Sequence, residues 1–216
     1  MPDEVDRWQH VETVARQVFA LYGYGEIRTP LFEKSPLFSR AVGETSDIVE
    51  KEMYTFLDRS GESLSLRPEG TASVVRAFIE HGLQQNLPWR VYYTGAMFRY
   101  ERPQKGRFRQ FHQIGCEQFG CAAATADVEM MAMLMRFFNA LGLSNQVQLE
   151  INSLGCTTCR PPFRHQLLTF LQQQQDGLCD LCRARMERNP LRVLDCKQSG
   201  CQSIVSAAPT MTTSLC

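Results

Sequence analysis

At 216 residues, with 44% apolar and 21% charged residues, the chain has the make-up of a folded protein large enough for one or two cores. Its 23 basic and 23 acidic residues cancel, so the overall field exerts no pull on nucleic acid and any RNA contact must be local. The charged opening MPDEVDRWQH is unlike a secretory leader and no apolar run approaches membrane-spanning length, so a cytoplasmic protein without membrane attachment is expected. In that compartment the nine cysteines read as reduced thiols or metal ligands rather than a disulfide framework.

Apolar residues at Val5, Trp8, Val11, Val14, Ala15, Val18, Phe19 and Tyr22 have helical spacing, which predicts a helix over 3–22 closed by Gly23. A short extended segment closed by Pro30 follows. Proline in such a run points to a sheet edge or an interface. Leu64 and Leu66 alternate with Ser63 and Ser65 as a strand, preceded by a turn at Asp58-Arg59-Ser60-Gly61. The strand stops at Arg67-Pro68, and a helix is predicted from Thr71 to His81 with Val74, Val75, Phe78 and Ile79 inward. Glu69 therefore stands where a strand ends and a helix begins. Side chains there reach into sites, although a carboxylate also suits a helix N-terminus on electrostatic grounds alone.

The stretch Val91–Gly120, VYYTGAMFRYERPQKGRFRQFHQIGCEQFG, reads as two strands joined by a turn at Pro103-Gln104-Lys105-Gly106. Alternation puts Arg99 and Glu101 on one face of the first arm, and Phe111, Gln113, Gly115 and Glu117 on one face of the second. Such a face suits an anionic ligand with a flat ring: arginine for phosphate, an aromatic ring for a base, acidic groups for an amine or a metal ion. His112 is expected to be packed on the hairpin rather than to act as a base.

A Met- and Phe-rich helix is predicted from Asp127 to Leu141, closed by Gly142, with Met131, Leu134, Met135 and Phe138 at core spacing. Val147, Leu149 and Ile151 alternate as a further strand ending in Asn152-Ser153-Leu154-Gly155. Helices with hairpin-connected strands favour an antiparallel sheet flanked by helices, an α+β fold. Composition changes at Gly155, which predicts domains at 1–154 and 155–216. The second holds most of the cysteines in short helical segments. Cys156-x-x-Cys159 and Cys179-x-x-Cys182, 19 residues apart, have a zinc-ribbon-like spacing, with Cys196 and Cys201 following. The helical look of Phe163–Leu171 argues against a ribbon. Plain reduced cysteines are the preferred reading, with no metal ligand assigned and structural zinc as the alternative.

FRYERPQKGRFRQFHQIGCEQFG resembles motif 2 of the class II aminoacyl-tRNA synthetases, in the form typical of the histidyl-tRNA synthetase family. LRPEGTA is similar to a recurrent sequence of that family, and GYGEIRTPLFEKSPLF resembles motif 1, a helix and strand at the class II dimer interface. NPLRVLDCK resembles the inserted helical domain of bacterial members. The resemblance thus covers the start of a class II catalytic domain followed by part of an insertion domain.

What the resemblance implies is a ligase that activates histidine with ATP and Mg²⁺ and transfers it to tRNA(His), working as a homodimer. It gives Arg99 to the α-phosphate and the histidine carboxylate, with Arg99 the catalytic residue. Glu101, Arg107 and Phe111 would hold the nucleotide by its amino group, terminal phosphates and adenine ring. Glu69, Thr71 and Gln113 would hold the α-amino group of histidine, and Glu117 its imidazole. The family's second histidine-recognition stretch, motif 3 and anticodon domain have no counterpart before Cys216. A fragment is therefore expected, inactive in aminoacylation on its own. Two other readings stand beside this one: a catalytically inactive synthetase-like regulatory subunit of ATP phosphoribosyltransferase, and a Cys-rich zinc or RNA-binding module.

Overall fold

A computed structural model describes every residue except 44, 45, 47, 154, 212–214 and 216. The predicted turn at 152–155 includes Leu154, and the ninth cysteine is Cys216; both residues lie outside the described ones. The chain divides into two compact units, Met1–Gln148 and Leu149–Cys216. No helix among the described residues is long and apolar enough to cross a membrane.

The first unit is built on the predicted hairpin. Strands β5 (Trp89–Phe98) and β6 (Gln110–Phe119) pair antiparallel from Trp89↔Phe119 to Phe98↔Gln110. Gly106, at φ +76°, takes the left-handed conformation that the 103–106 turn requires. Strand β1 (Gly25–Glu26) adds to the other side of β5 in parallel. A second, antiparallel sheet has the order β2-β4-β3, from Phe32–Lys34, Ser63–Leu66 and Thr55–Leu57. Asp58 Oδ1 holds its connecting turn by accepting from the Ser60 and Glu62 amides at 2.8 and 2.9 Å.

Helices cover both faces of the hairpin. Helix α1 (Pro2–Leu21) opens with proline and two acidic residues and ends at Gly23, φ +74°. Val14, Ala15, Val18 and Phe19 pack with Tyr92, Ile114 and Cys116, and with Met133 of α4 (Ala124–Ala140). Phe19 stacks on Tyr92 at 4.4 Å. The opposite face carries Val91, Tyr93 and Met97, which pack with Val74 of α3 (Thr71–Glu80). Helix α2 (Ser35–Val42), not foreseen in the sequence, lies beside α3.

Three expectations are corrected. Residues 147–151 form no strand: no described strand runs beside them, so there is no ladder, and Leu149 and Ile151 are exposed. The buried side of α4 is turned from the predicted one, because Met133, not Met131 or Leu134, meets α1. Ile79 of α3 is 59% exposed, since that helix buries Ala72, Ser73, Val74 and Ala77.

In the second sheet Ser65, not a leucine, is fully buried. Its hydroxyl meets Ser35 Oγ at 2.8 Å and Thr55 Oγ1 at 2.9 Å, and Ser35 also meets Ser63 at 2.8 Å. Leu64, Leu66, Phe32 and Phe56 take the other face, where Phe32 and Phe56 are exposed. The two sheets join at Arg67, whose carbonyl accepts from the Phe98 amide.

The second unit is helical: α5 (Arg160–Gln173), α6 (Asp180–Met186) and α7 (Ser199–Val205), with short 3-10 turns at Gln175–Gly177 and Pro190–Val193. Phe163, Leu167 and Leu171 recur at helical spacing along one side of α5 and form its core with Leu178, Met186 and Val193.

Candidate functional site

The face of β6 that carries Phe111, Gln113, Gly115 and Glu117 lies opposite Met97, Gly95, Tyr93 and Val91 of β5. It also meets the first turn of α3, where Glu69 and Thr71 stand. Thr71 Oγ1 donates to Glu117 Oε1 at 2.7 Å. Glu69 accepts from the Thr71 and Ala72 amides at 2.6 and 2.9 Å, so its carboxylate caps α3 as the electrostatic reading anticipated. Gln113 Nε2 donates to Tyr93 Oη at 3.4 Å, while its Oε1 is buried without a partner. Four of the expected histidine contacts, Glu69, Thr71, Gln113 and Glu117, are thereby gathered around one tyrosine.

Tyr93 is the residue the sequence reading missed. Its ring fills the space that a side chain would need at both Gly70 and Gly115. The signal was present: alternation places an aromatic residue directly across the hairpin from a glycine. Burial pushes the Tyr93 phenol up to about 12, so it stays protonated as a neutral hydroxyl. Burial also raises the Glu117 carboxyl above its ordinary value, with the nearby Glu69 charge adding to this and the Thr71 hydrogen bond opposing it. Glu117 has no described cationic partner, which leaves a half-buried carboxylate on this sheet face.

Arg99 lies just beyond β5. Its Nε donates to the Pro68 carbonyl at 2.9 Å and its guanidinium lies 5.1 Å from the centre of the Phe111 ring. The backbone of the Arg-Pro-Glu stretch thus fixes the arginine, and the ring lies alongside it. Glu101 and Arg107 pair with each other across the turn through two hydrogen bonds, one of them 2.8 Å (Arg107 Nη2 to Oε1). The Arg107 hydrogen bond holds the Glu101 carboxyl below its usual range, with smaller help from the Arg99 charge. Arg107 itself is half exposed. The eight expected residues therefore fall into a group of half-buried and exposed side chains around the buried Tyr93, an Arg99–Phe111 cation–π contact beside it, and an ion pair at the mouth of the turn. His112 is exposed, and its ring lies 4.5 Å from that of Trp8.

Among the described residues the thiols that converge are Cys179, Cys182, Cys196 and Cys201. This departs from the paired Cys-x-x-Cys expectation: Cys156 and Cys159 lie outside the group, with their sulfurs 3.6 Å apart. The reason is local. Cys159 caps the start of α5, whereas Cys179 and Cys182 open α6, and the sequence after Pro190–Val193 returns Cys196 and α7 to them.

The family model described as histidyl-tRNA synthetase matches residues 1–159. The histidine–tRNA ligase of Moorella thermoacetica is 56% identical over the whole chain, which covers 51% of that protein. The one from Geobacter metallireducens is 54% identical, again over the whole chain and 52% of its own length. The chain thus spans about half the length of the curated relatives it matches. The crystal structure of apo S. aureus histidyl-tRNA synthetase superposes with a TM-score of 0.74 at 34% identity, over all of this chain and 48% of that one. An ATP phosphoribosyltransferase regulatory subunit/histidyl-tRNA synthetase from Bacillus halodurans C shares the fold, with a TM-score of 0.60 at 22% identity over 95% of this chain and 52% of that one. With the family model matched over most of its length and a synthetase-type hairpin at its centre, the chain belongs to the histidyl-tRNA synthetase family.

Proposed function

We propose that this chain is the part of a histidine–tRNA ligase that binds histidine and the α-phosphate of ATP. The observation that carries the reading is the continuous row on one sheet face: Glu117 and Gln113 beside Thr71 and Glu69, then Phe111 under Arg99. Histidine offers an ammonium group, an imidazole and a carboxylate. The ammonium group suits Glu69, Thr71 and the orphaned Gln113 Oε1, and the imidazole N–H suits Glu117. The carboxylate then points toward Arg99.

In activation a histidine carboxylate oxygen attacks the α-phosphorus. The new O–P bond forms as the bond to the bridging oxygen breaks, and pyrophosphate leaves with that electron pair. Arg99, fixed by the Pro68 carbonyl, stabilises the charge that grows on the phosphoryl oxygens. Phe111 provides a face for adenine, and Arg107 meets the terminal phosphates by exchanging Glu101 for them. No side-chain nucleophile is needed. Mg²⁺ bound to the ATP phosphates would offset their charge, and Glu101 would be free to approach it only once Arg107 has turned to the terminal phosphates. Transfer to tRNA(His), a cytoplasmic location and assembly as a homodimer belong to the same reading. The exposed Leu31, Phe32 and Phe56 around the motif 1 segment support the dimer.

The test is histidine-dependent exchange of pyrophosphate into ATP, in a protein of the relatives' length that carries this sequence as its first half. Exchange that requires histidine and is lost in Arg99→Ala supports the proposal. Histidine binding without exchange would instead indicate a synthetase-like regulator.

A further inference from the structure

The sulfurs of Cys179, Cys182, Cys196 and Cys201 all lie within 4.8 Å of one another, and Cys179 Sγ is 4.0 Å from Cys196 Sγ. Four thiolates around one zinc ion, at Zn–S of about 2.3 Å, are separated by about 3.8 Å. We infer that these four cysteines form a closed tetrathiolate site for one structural Zn²⁺ in the second unit, independent of the aminoacyl chemistry of the first.

Spacing and backbone support the assignment. Cys179-x-x-Cys182 begins α6, and Cys196-x-x-x-x-Cys201 ends inside α7, so each pair is a short knuckle of the kind zinc sites use. The Cys179 amide donates to Cys201 Sγ at 3.2 Å, and the Cys182 amide faces Cys179 Sγ, so main-chain donors already point at the sulfurs. Arg183, which also pairs with Asp180, and Lys197 follow two of the ligands in sequence and bring positive charge to their neighbourhood. Cys179, Cys182, Cys196 and Cys201 are in no disulfide, so none competes for these sulfurs. Buried cysteines can serve as small apolar residues, and Cys182 and Cys201 are both buried in the core of this unit. That role does not explain why four sulfurs from three segments meet at one point. With four protein ligands no coordination position stays open, so the ion ties α6, the segment after Pro190–Val193 and α7 together and does no catalysis. A unit this short has a small core and gains from such a cross-link.

The experiment uses the 216-residue chain, purified under reducing conditions without chelator. Elemental analysis should return about one zinc per chain. Cobalt exchanged into the site should give the near-ultraviolet sulfur-to-metal bands and the red d–d bands of a tetrahedral tetrathiolate. Chelation should lower the melting temperature of the helical signal. Cys196→Ser, at a half-buried position, should lose the cobalt bands, while Cys156→Ser and Cys159→Ser should keep them. Absence of both copurified zinc and cobalt bands in the unsubstituted chain would overturn the site. Cobalt bands that survive Cys196→Ser and disappear with Cys156→Ser would overturn the ligand set.

Discussion

Thr71 and Glu117 lie 46 residues apart in the chain and meet at 2.7 Å, where the first turn of α3 closes over β6. That hydroxyl is the main offset to the burial of the Glu117 charge. Because burial raises the carboxyl above its ordinary value, the folded state holds the proton more tightly than the unfolded chain does. The stability this contributes is fully present below the unfolded pKa and is lost as pH rises through the folded one. Glu117→Gln keeps an acceptor for Thr71 and removes the charge. Its melting temperature should therefore exceed that of the wild type at neutral pH and match it near pH ~4. In a protein of the relatives' length the same change should raise the KM for histidine more than that for ATP. Equal rises in both would assign Glu117 a structural role.

Gly115 should tolerate no side chain, because its Cβ position is occupied by the Tyr93 ring. Gly115→Ala should cost about 1–3 kcal/mol in denaturant unfolding, as expected for overpacking. Gly25→Ala, in the same sheet with open space around it, is the control and should be nearly neutral. Similar losses at both positions would show that the Tyr93 ring does not set the requirement, since the entropy effect of Gly→Ala alone is stabilising.

Arg99→Ala should lower histidine-dependent pyrophosphate exchange by ~10²–10³, the usual loss on removing one fixed donor to a developing oxyanion. Arg99→Lys should not recover it, since an ammonium cannot both hold the Pro68 carbonyl through Nε and lie flat beside Phe111. Exchange within threefold of the wild type in either variant would sink the assignment.

Arg67 is a buried guanidinium that donates to Ala96 O, Thr29 O and Thr29 Oγ1 at 2.9, 2.9 and 3.1 Å, and more weakly to Pro30 O. Arg67→Met strips these acceptors of their donor and should destabilise the chain by on the order of 3 kcal/mol. Chemical denaturation gives the number directly. A loss below ~1 kcal/mol would mean that water replaces the guanidinium without strain.

In the proposed homodimer, Phe32→Glu should shift the mass seen by light scattering toward monomer, because it places a charge on the exposed apolar face of the second sheet. Unchanged mass in the variant would move the interface elsewhere.

The hairpin, the three helices that cover it and the turn at Gly106 were legible in the sequence, because alternation and helical spacing are strong there and Gly and Pro mark the ends. The eight candidate residues were picked out through a family pattern rather than from spacing alone. Tyr93 and Arg67 were not. Arg67 works through contacts with residues distant in sequence and carries no local signature, whereas the signal for Tyr93 lies in its cross-strand pairing with Gly115. The strand expected at 147–151 shows the converse limit: alternation marks a segment able to pair but does not supply a partner. The cysteine spacing was similarly incomplete, since the return of Cys196 and Cys201 to α6 is set by tertiary packing in the second unit.

The row Ser63–Ser35–Ser65–Thr55 has a consequence of its own. Each hydroxyl donates one proton and accepts others, so the row can be satisfied with its protons running in either direction. No member ionises in the range where proteins fold. The second sheet is thus fastened by a polar seam that does not respond to acidity, whereas the first sheet bears, at Glu117, a group whose charge does. Acidification should therefore alter the ligand face while leaving the joint behind β4 as it was.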